Sequence, residues 1–162
     1  MKRLELEIPP DWDAIKACWD RCMAHLRAAG LDEDTAYALS MASQELLENA
    51  VKYGSFDEGG ITLTIEVAAE VTIEVRTPTG AAEARLRHLD ETIQWIRGFQ
   101  DPFEAYVERL KAVSAEPYRE GHSGLGLVRV AYEARCLLDF YVDERDTLAI
   151  SAVYQPSNPA GR

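Results

Sequence analysis

Asp32 to Gly54, DEDTAYALSMASQELLENAVKYG, is the stretch around which the chain is organised. Read with a helical period it is one long helix with two unlike sides. Leu39, Ala42, Leu46, Leu47, Ala50 and Val51 fall on one side, and Glu45, Glu48, Asn49 and Lys52 on the other. Glu45 and Asn49 are one helical turn apart and share a face. A carboxylate and an amide at that spacing can hold water or a hydrated cation, and an ordinary solvated helix face carries the same residues. A second stretch, GHSGLGL at 121–127, gives the pair its interest.

Working outward, RLELEI at 3–8 alternates apolar and polar and reads as a strand with Leu4, Leu6 and Ile8 on its buried face. Pro9 and Pro10 end it, and Asp11 is placed to cap a helix over 12–29 with Trp12, Ile15, Trp19, Cys22 and Leu26 on one stripe. Gly30 stops that helix in the left-handed position common at helix ends, and Asp32 opens the next. After a turn over 55–60, Ile61, Leu63, Ile65 and Val67 alternate, as do Val71, Ile73 and Val75, which predicts a β-hairpin. Thr77-Pro78-Thr79-Gly80 reads as a turn or loop. Helices are expected over 83–97 and 102–114, the second with Asp101 as cap and Pro102 at its first position. Leu86, Leu89, Ile93 and Ile96 mark the apolar stripe of the first, and Phe103, Tyr106, Val107 and Leu110 that of the second. Such periodicity requires a partner surface, either this domain's own cleft or a second protein. A polar, mobile stretch over 116–123, a short helix over 125–134 and strands over 136–142 and 148–154 complete the chain.

The order β-α-α-β-β-(αα)-α-β-β contains no internal repeat and excludes a doubly wound sheet. It predicts an α+β fold, a two-layer α/β sandwich with helices on one face of a mixed, mainly antiparallel sheet. At 162 residues this is one domain, 1–154, followed by a flexible tail, 155–162. Seventeen basic against 28 acidic side chains give a formal charge of −11, which argues against nucleic acid and anionic membrane as partners. No apolar run reaches the roughly 18 residues of a membrane span, and MKRLELEIPP lacks the apolar core of a signal peptide, so a cytoplasmic protein is expected. Cys18, Cys22 and Cys136 make no zinc pattern and read as reduced core residues, and His25 and His88 as structural or surface positions.

QELLENAVKYG at 44–54 resembles the N-box of the histidine-kinase-like ATPase (Bergerat fold) superfamily, and GHSGLGLVRVAYEA at 121–134 resembles its second glycine box. The likeness spans about residues 5–154 and lies nearest the anti-sigma-factor serine kinases and their single-domain bacterial relatives in signal transduction. By this resemblance Asn49 ligands the magnesium of a bound nucleotide, and Glu45 is the acidic residue that orients or deprotonates the attacking hydroxyl or water. Gly121, Gly124 and Gly126 match the phosphate-side lid and its junction with the next helix, where His122 and Ser123 add side-chain donors. Gly80 survives from the first glycine box.

That first box is otherwise degenerate. Nucleotide-binding members carry an aspartate there that accepts from the adenine amino group, and its position falls on Thr77 or Pro78. A lost charge-assisted bond of this kind costs about 2 to 4 kcal/mol, roughly 30- to 1000-fold in affinity. Mg-ATP and no cofactor at all therefore stand level. The leading expectation is a regulatory protein on an ATPase scaffold that acts through a protein partner, with weak or lost nucleotide binding. The alternative is a Mg-ATP-dependent, anti-sigma-like protein serine kinase. A homodimer is implied only by the habit of small members of the family.

Overall fold

A computed structural model describes residues 1–53, 60–78, 83–115 and 125–156. Its elements are β1 (Lys2–Ile8), α1 (Trp12–Ala17), α2 (Trp19–Ala28), α3 (Glu33–Tyr53), β2 (Ile61–Val67), β3 (Val71–Pro78), α4 (Glu83–Arg97), α5 (Pro102–Ser114), α6 (Gly126–Tyr132), β4 (Cys136–Val142) and β5 (Thr147–Tyr154). The strands form one sheet in the order β1-β2-β3-β5-β4, and each of its four pairings is antiparallel. Alternation decides which face is covered. Leu6, Ile8, Leu63, Ile65, Ile73, Val75, Leu138, Ile150 and Ala152 are buried under the helices. α3 crosses β2, β3 and β5, with α2 on one side of it and α6 on the other. The fold is the expected two-layer sandwich.

The opposite face carries Arg3, Glu5, Thr62, Thr64, Glu66, Thr72, Glu74 and Arg76 around a shallow depression. Arg76 donates to Glu74 at 3.1 Å, to the Tyr141 hydroxyl at 2.9 Å and to Asp143 at 3.3 Å, tying β3 to β4 and to the turn that follows it on that side. Such a face suits an antiparallel sheet with one side in solvent. No helix among the described residues is long and apolar enough to cross a membrane.

Side-chain caps set the helix starts where the sequence placed them. Asp11 Oδ1 accepts from the Asp13 N–H at 2.8 Å, Asp32 Oδ1 from the Thr35 N–H at 2.8 Å, and Asp101 Oδ1 from the Phe103 N–H at 3.0 Å. Gly30, at φ +93°, closes α2: its N–H bonds the Arg27 carbonyl at 3.0 Å while the Leu31 N–H bonds the Leu26 carbonyl at 3.2 Å. Only a residue without a Cβ adopts this backbone freely.

Three expectations are corrected. The helix over 12–29 is two helices broken at Cys18. The Cys18 thiol donates to the Ala14 carbonyl at 3.2 Å, and the Cys18 N–H turns to the Ile15 carbonyl instead, also at 3.2 Å. Trp12, placed on the buried stripe, is 50% exposed because it stands at the first turn, ahead of the core contact made by Ile15. Thr77 and Pro78 are strand rather than loop and pair with Leu148 and Thr147. β2 accompanies β3 only as far as Arg76, so beyond it β3 is paired on one side and tolerates a residue without an N–H. The expected loops over 55–59, 79–80 and 116–123 and most of the tail lie outside the described residues.

The two helices of the insert differ. Leu89, Ile93 and Ile96 of α4 are buried against β4, α5 and α6, so that stripe packs on the domain itself. The stripe expected on α5 is half open: Ala105 is buried, whereas Phe103 and Leu110 are 45% and 41% exposed. Tyr132 of α6 meets Phe103 and Tyr106 only ring to ring, at 5.2 Å each. The expected consequence is a contrast in unfolding by urea. Ile93→Ala should cost about 2–5 kcal/mol and Leu110→Ala less than about 1 kcal/mol. Equal losses would contradict the burial of α4.

Candidate functional site

α3 presents Glu45 and Asn49 toward the start of α6. The Asn49 amide Nδ2 donates to the Glu45 backbone carbonyl at 2.8 Å. The amide is thereby anchored through one end and offers an acceptor at the other. α6 closes on this turn of α3 at Gly126. A Cβ built there would lie 2.5 Å from Glu45 Oε2, 3.4 Å from Glu45 Cδ and 3.8 Å from Asn49 Nδ2. A side chain at Gly126 would thus displace the end of the Glu45 carboxylate, and the glycine does not serve an unusual backbone angle. Two stretches far apart in sequence, 44–54 and 121–127, meet at this contact.

The Glu45 side chain is 12% exposed. Burial pushes its carboxyl up to about 7, the nearby Glu48 and Glu133 charges add to the rise, and Arg129 opposes it. Arg129 reaches Glu45 Oε1 at 3.3 Å and, through Nε, Glu133 Oε2 at 3.1 Å. Sequence reasoning passed over Arg129. Its signal is the three-residue step from Gly126, which puts both on the same face of α6. Glu48 is raised as well, by burial, against the pull of Arg129 and Lys16. Lys52, the next polar residue along this side of α3, has its ammonium pushed down by burial and by Arg109 of α5.

Thr77 shares the covered face of β3 with Ile73 and Val75. It is 1% exposed, and its hydroxyl is buried with no hydrogen-bond partner among the described residues. An orphaned hydroxyl costs about 1–3 kcal/mol and stands out in a folded chain. Gly80, Gly121, His122, Ser123 and Gly124 lie outside the described residues. Of the residues singled out from the sequence, the structure brings together Glu45, Asn49 and Gly126.

A near-neutral carboxylate beside an anchored amide oxygen can take a proton and help hold a hard cation. The residues fit the magnesium end of a nucleotide: with Asn49 Nδ2 engaged, its Oδ1 is the acceptor end of the amide, and Gly126 leaves its turn of α3 uncovered by a side chain.

No family model matches the chain, and no curated protein matches it. Among solved structures, a chain of the SiaB–SiaC complex from Pseudomonas aeruginosa matches with a TM-score of 0.70 at 19% sequence identity. The match covers 93% of this chain and 88% of that one. At this identity the likeness concerns the fold, which is consistent with that of the histidine-kinase-like ATPases.

The raised Glu45 carboxyl makes a signed prediction. An unfolded glutamate titrates near 4.5, whereas this one holds its proton to about 7. Folding therefore loses stability as pH rises from about 4.5 to 7, and the loss is complete above that. Glu45→Gln should match the wild type near pH 4.5 and exceed it by up to about 3 kcal/mol at pH 8, in urea melts compared at both pH values. A difference independent of pH would contradict the raised value. Gly126→Ala should displace the Glu45 carboxylate from Arg129, and a crystal structure of the variant that retains the 3.3 Å pair would refute the close approach.

Proposed function

We propose that this chain is a regulatory protein kinase of the histidine-kinase-like ATPase fold, one that transfers a phosphoryl group from Mg-ATP to a hydroxyl of a protein partner. The observation that carries this reading is the contact of Glu45, Asn49 and Gly126, with Glu45 buried and poised near neutrality. Asn49 would ligand the metal through Oδ1. Glu45, its carboxyl pushed up to about 7, accepts the proton of the incoming hydroxyl in its ionised form, and Arg129 holds one of its oxygens in place. Bound Mg-ATP would supply the transferable phosphoryl group and the positive charge that neutralises its oxygens. A protein as the substrate is supported by the SiaB–SiaC structure, which is itself a complex of two proteins.

This reading reverses the order expected from sequence, in which a regulator acting through a protein partner, with weak or lost nucleotide binding, led. Thr77 favours that second reading, because a neutral hydroxyl is a weaker acceptor than the carboxylate the family uses. The orphaned state of the hydroxyl tempers the objection: it is a buried group still lacking the bond that a base edge supplies.

Calorimetry with Mg-ATP tests the proposal. Binding is expected with a dissociation constant weaker than about 100 μM, that is, less favourable than about −5.5 kcal/mol. Asn49→Ala should remove the magnesium-dependent part, and Glu45→Gln should keep binding while abolishing phosphoryl transfer. Absence of heat at millimolar Mg-ATP would end the kinase reading and leave the nucleotide-free regulator. Thr77→Val adds a second readout: without ligand it should stabilise the fold by about 1–2 kcal/mol through removal of the orphan, and it should weaken ATP. Unchanged ATP affinity in this variant would remove Thr77 from the site.

A further inference from the structure

Among the described residues three buried side-chain atoms have no hydrogen-bond partner: His25 Nε2, Ser40 Oγ and Thr77 Oγ1. Ser40 lies within α3, where a serine can turn its hydroxyl to the carbonyl one turn back, as Ser43 does to Leu39 at 2.9 Å. His25, in the last turn of α2, is only partly buried. Thr77 has neither resort. It is 1% exposed and stands on a paired strand, opposite Leu148, with no helical carbonyl behind it. A hydroxyl held in that state is suited to a partner that arrives from outside the chain.

The topology puts Thr77 at the end of the sheet where α3 finishes. α3 runs out at Tyr53, and the chain re-enters the sheet at Ile61, the first residue of β2. Thr62 pairs with Arg76, so Ile61 is level with Thr77, one step further along. Asn49 stands about one turn before the end of α3. α6 runs away from this end: β4, which follows it, starts at the opposite end of the sheet, with Cys136 against Tyr154 and Tyr154 against Val71. Gly126, at the start of α6, is thus turned toward the Thr77 end. Thr77 is the buried, unpartnered hydroxyl at the end of the sheet that Asn49 and Gly126 share.

What the hydroxyl can bond differs from what a carboxylate can bond. A carboxylate offers lone pairs alone, so it accepts from the 6-amino group of adenine and repels a 6-oxo group. A hydroxyl has one proton and two lone pairs, and it turns about its C–O bond to suit the neighbour. Thr77 Oγ1 can accept from an amino group or donate to a carbonyl oxygen, with one neutral bond in either case. Pro78 beside it brings no N–H that would favour one of the two. We infer that Thr77 faces position 6 of a bound purine and reads it without preference, so that the chain takes 6-oxo as well as 6-amino purine nucleoside triphosphates. The inference rests on the kinase reading and names the class of nucleotide that its site admits.

Inosine triphosphate is the probe, because it differs from ATP only along the edge that carries position 6. Calorimetry on the full chain with magnesium should give dissociation constants for ATP and inosine triphosphate within about tenfold of each other. Thr77→Val, which removes the hydroxyl and keeps the shape, should weaken both by the same factor. Thr77→Asp should tighten ATP and repel inosine triphosphate, opening the ratio to at least about thirtyfold. Circular dichroism establishes that each variant is folded before it is scored, and the valine variant decides if the aspartate variant is not. Inosine triphosphate bound more than about tenfold more weakly than ATP by the wild type would overturn the inference and leave the kinase reading standing. A valine variant that weakens ATP alone, or neither nucleotide, would do the same, as would a folded aspartate variant with the wild-type ratio. No heat from either nucleotide at millimolar concentration would end the inference and the kinase reading together.

Discussion

The approach of α6 to α3 at Gly126 is the constraint on which the site depends. Any side chain at that position would occupy the space of the Glu45 carboxylate. Because the helices can close there, Glu45 loses solvent, its carboxyl is pushed up to about 7, and Arg129 of the same helix comes within 3.3 Å. Burial, proton affinity and the choice of counter-ion thus have one steric origin. A buried carboxylate that shares its cation, Arg129, with Glu133 is costly to the fold. Its burial at the helix contact is what separates this turn of α3 from an ordinary solvated face.

The rest of the domain holds that contact steady. Leu39, Leu46 and Leu47 of α3 are fully buried, and the sheet beneath supplies Ile65, Ile73 and Ile150. α3 has little freedom to turn about its axis, so Glu45 and Asn49 must look toward α6. α4 and α5 stand behind α6 and in turn restrain it. The arrangement concentrates packing on one side of the sheet and leaves the other side with polar groups and the Arg76 network.

What the sequence disclosed was local in origin. Asp11, Asp32 and Asp101 cap helices through bonds to residues two or three positions away, and alternation in 61–75 marks the hairpin and its buried face. Glu45 and Asn49 were legible through helical spacing together with a resemblance, and Gly126 through the resemblance. What escaped was tertiary. The break at Cys18 depends on which carbonyl a thiol captures, and Arg129 acquires meaning only once α6 is laid against α3. Thr77 looked like part of a loop because Pro78 follows it, and the deciding fact is where β2 stops. On α5 the helical period is present, but the buried side falls on Ala105, while Phe103 rests against the ring of Tyr132 and stays half exposed.

The pairing of β1 with β2 carries a consequence for how the chain reaches this fold. Lys2 lies opposite Val67, with three helices between them in sequence. The hairpins β2–β3 and β4–β5 close over short turns, whereas β1 must wait for a strand that a ribosome makes some sixty residues later. During that interval Leu4, Leu6 and Ile8 have only the nascent helices to rest on. The first strand of this sheet is therefore seated late, after the hydrophobic layer it edges has begun to form.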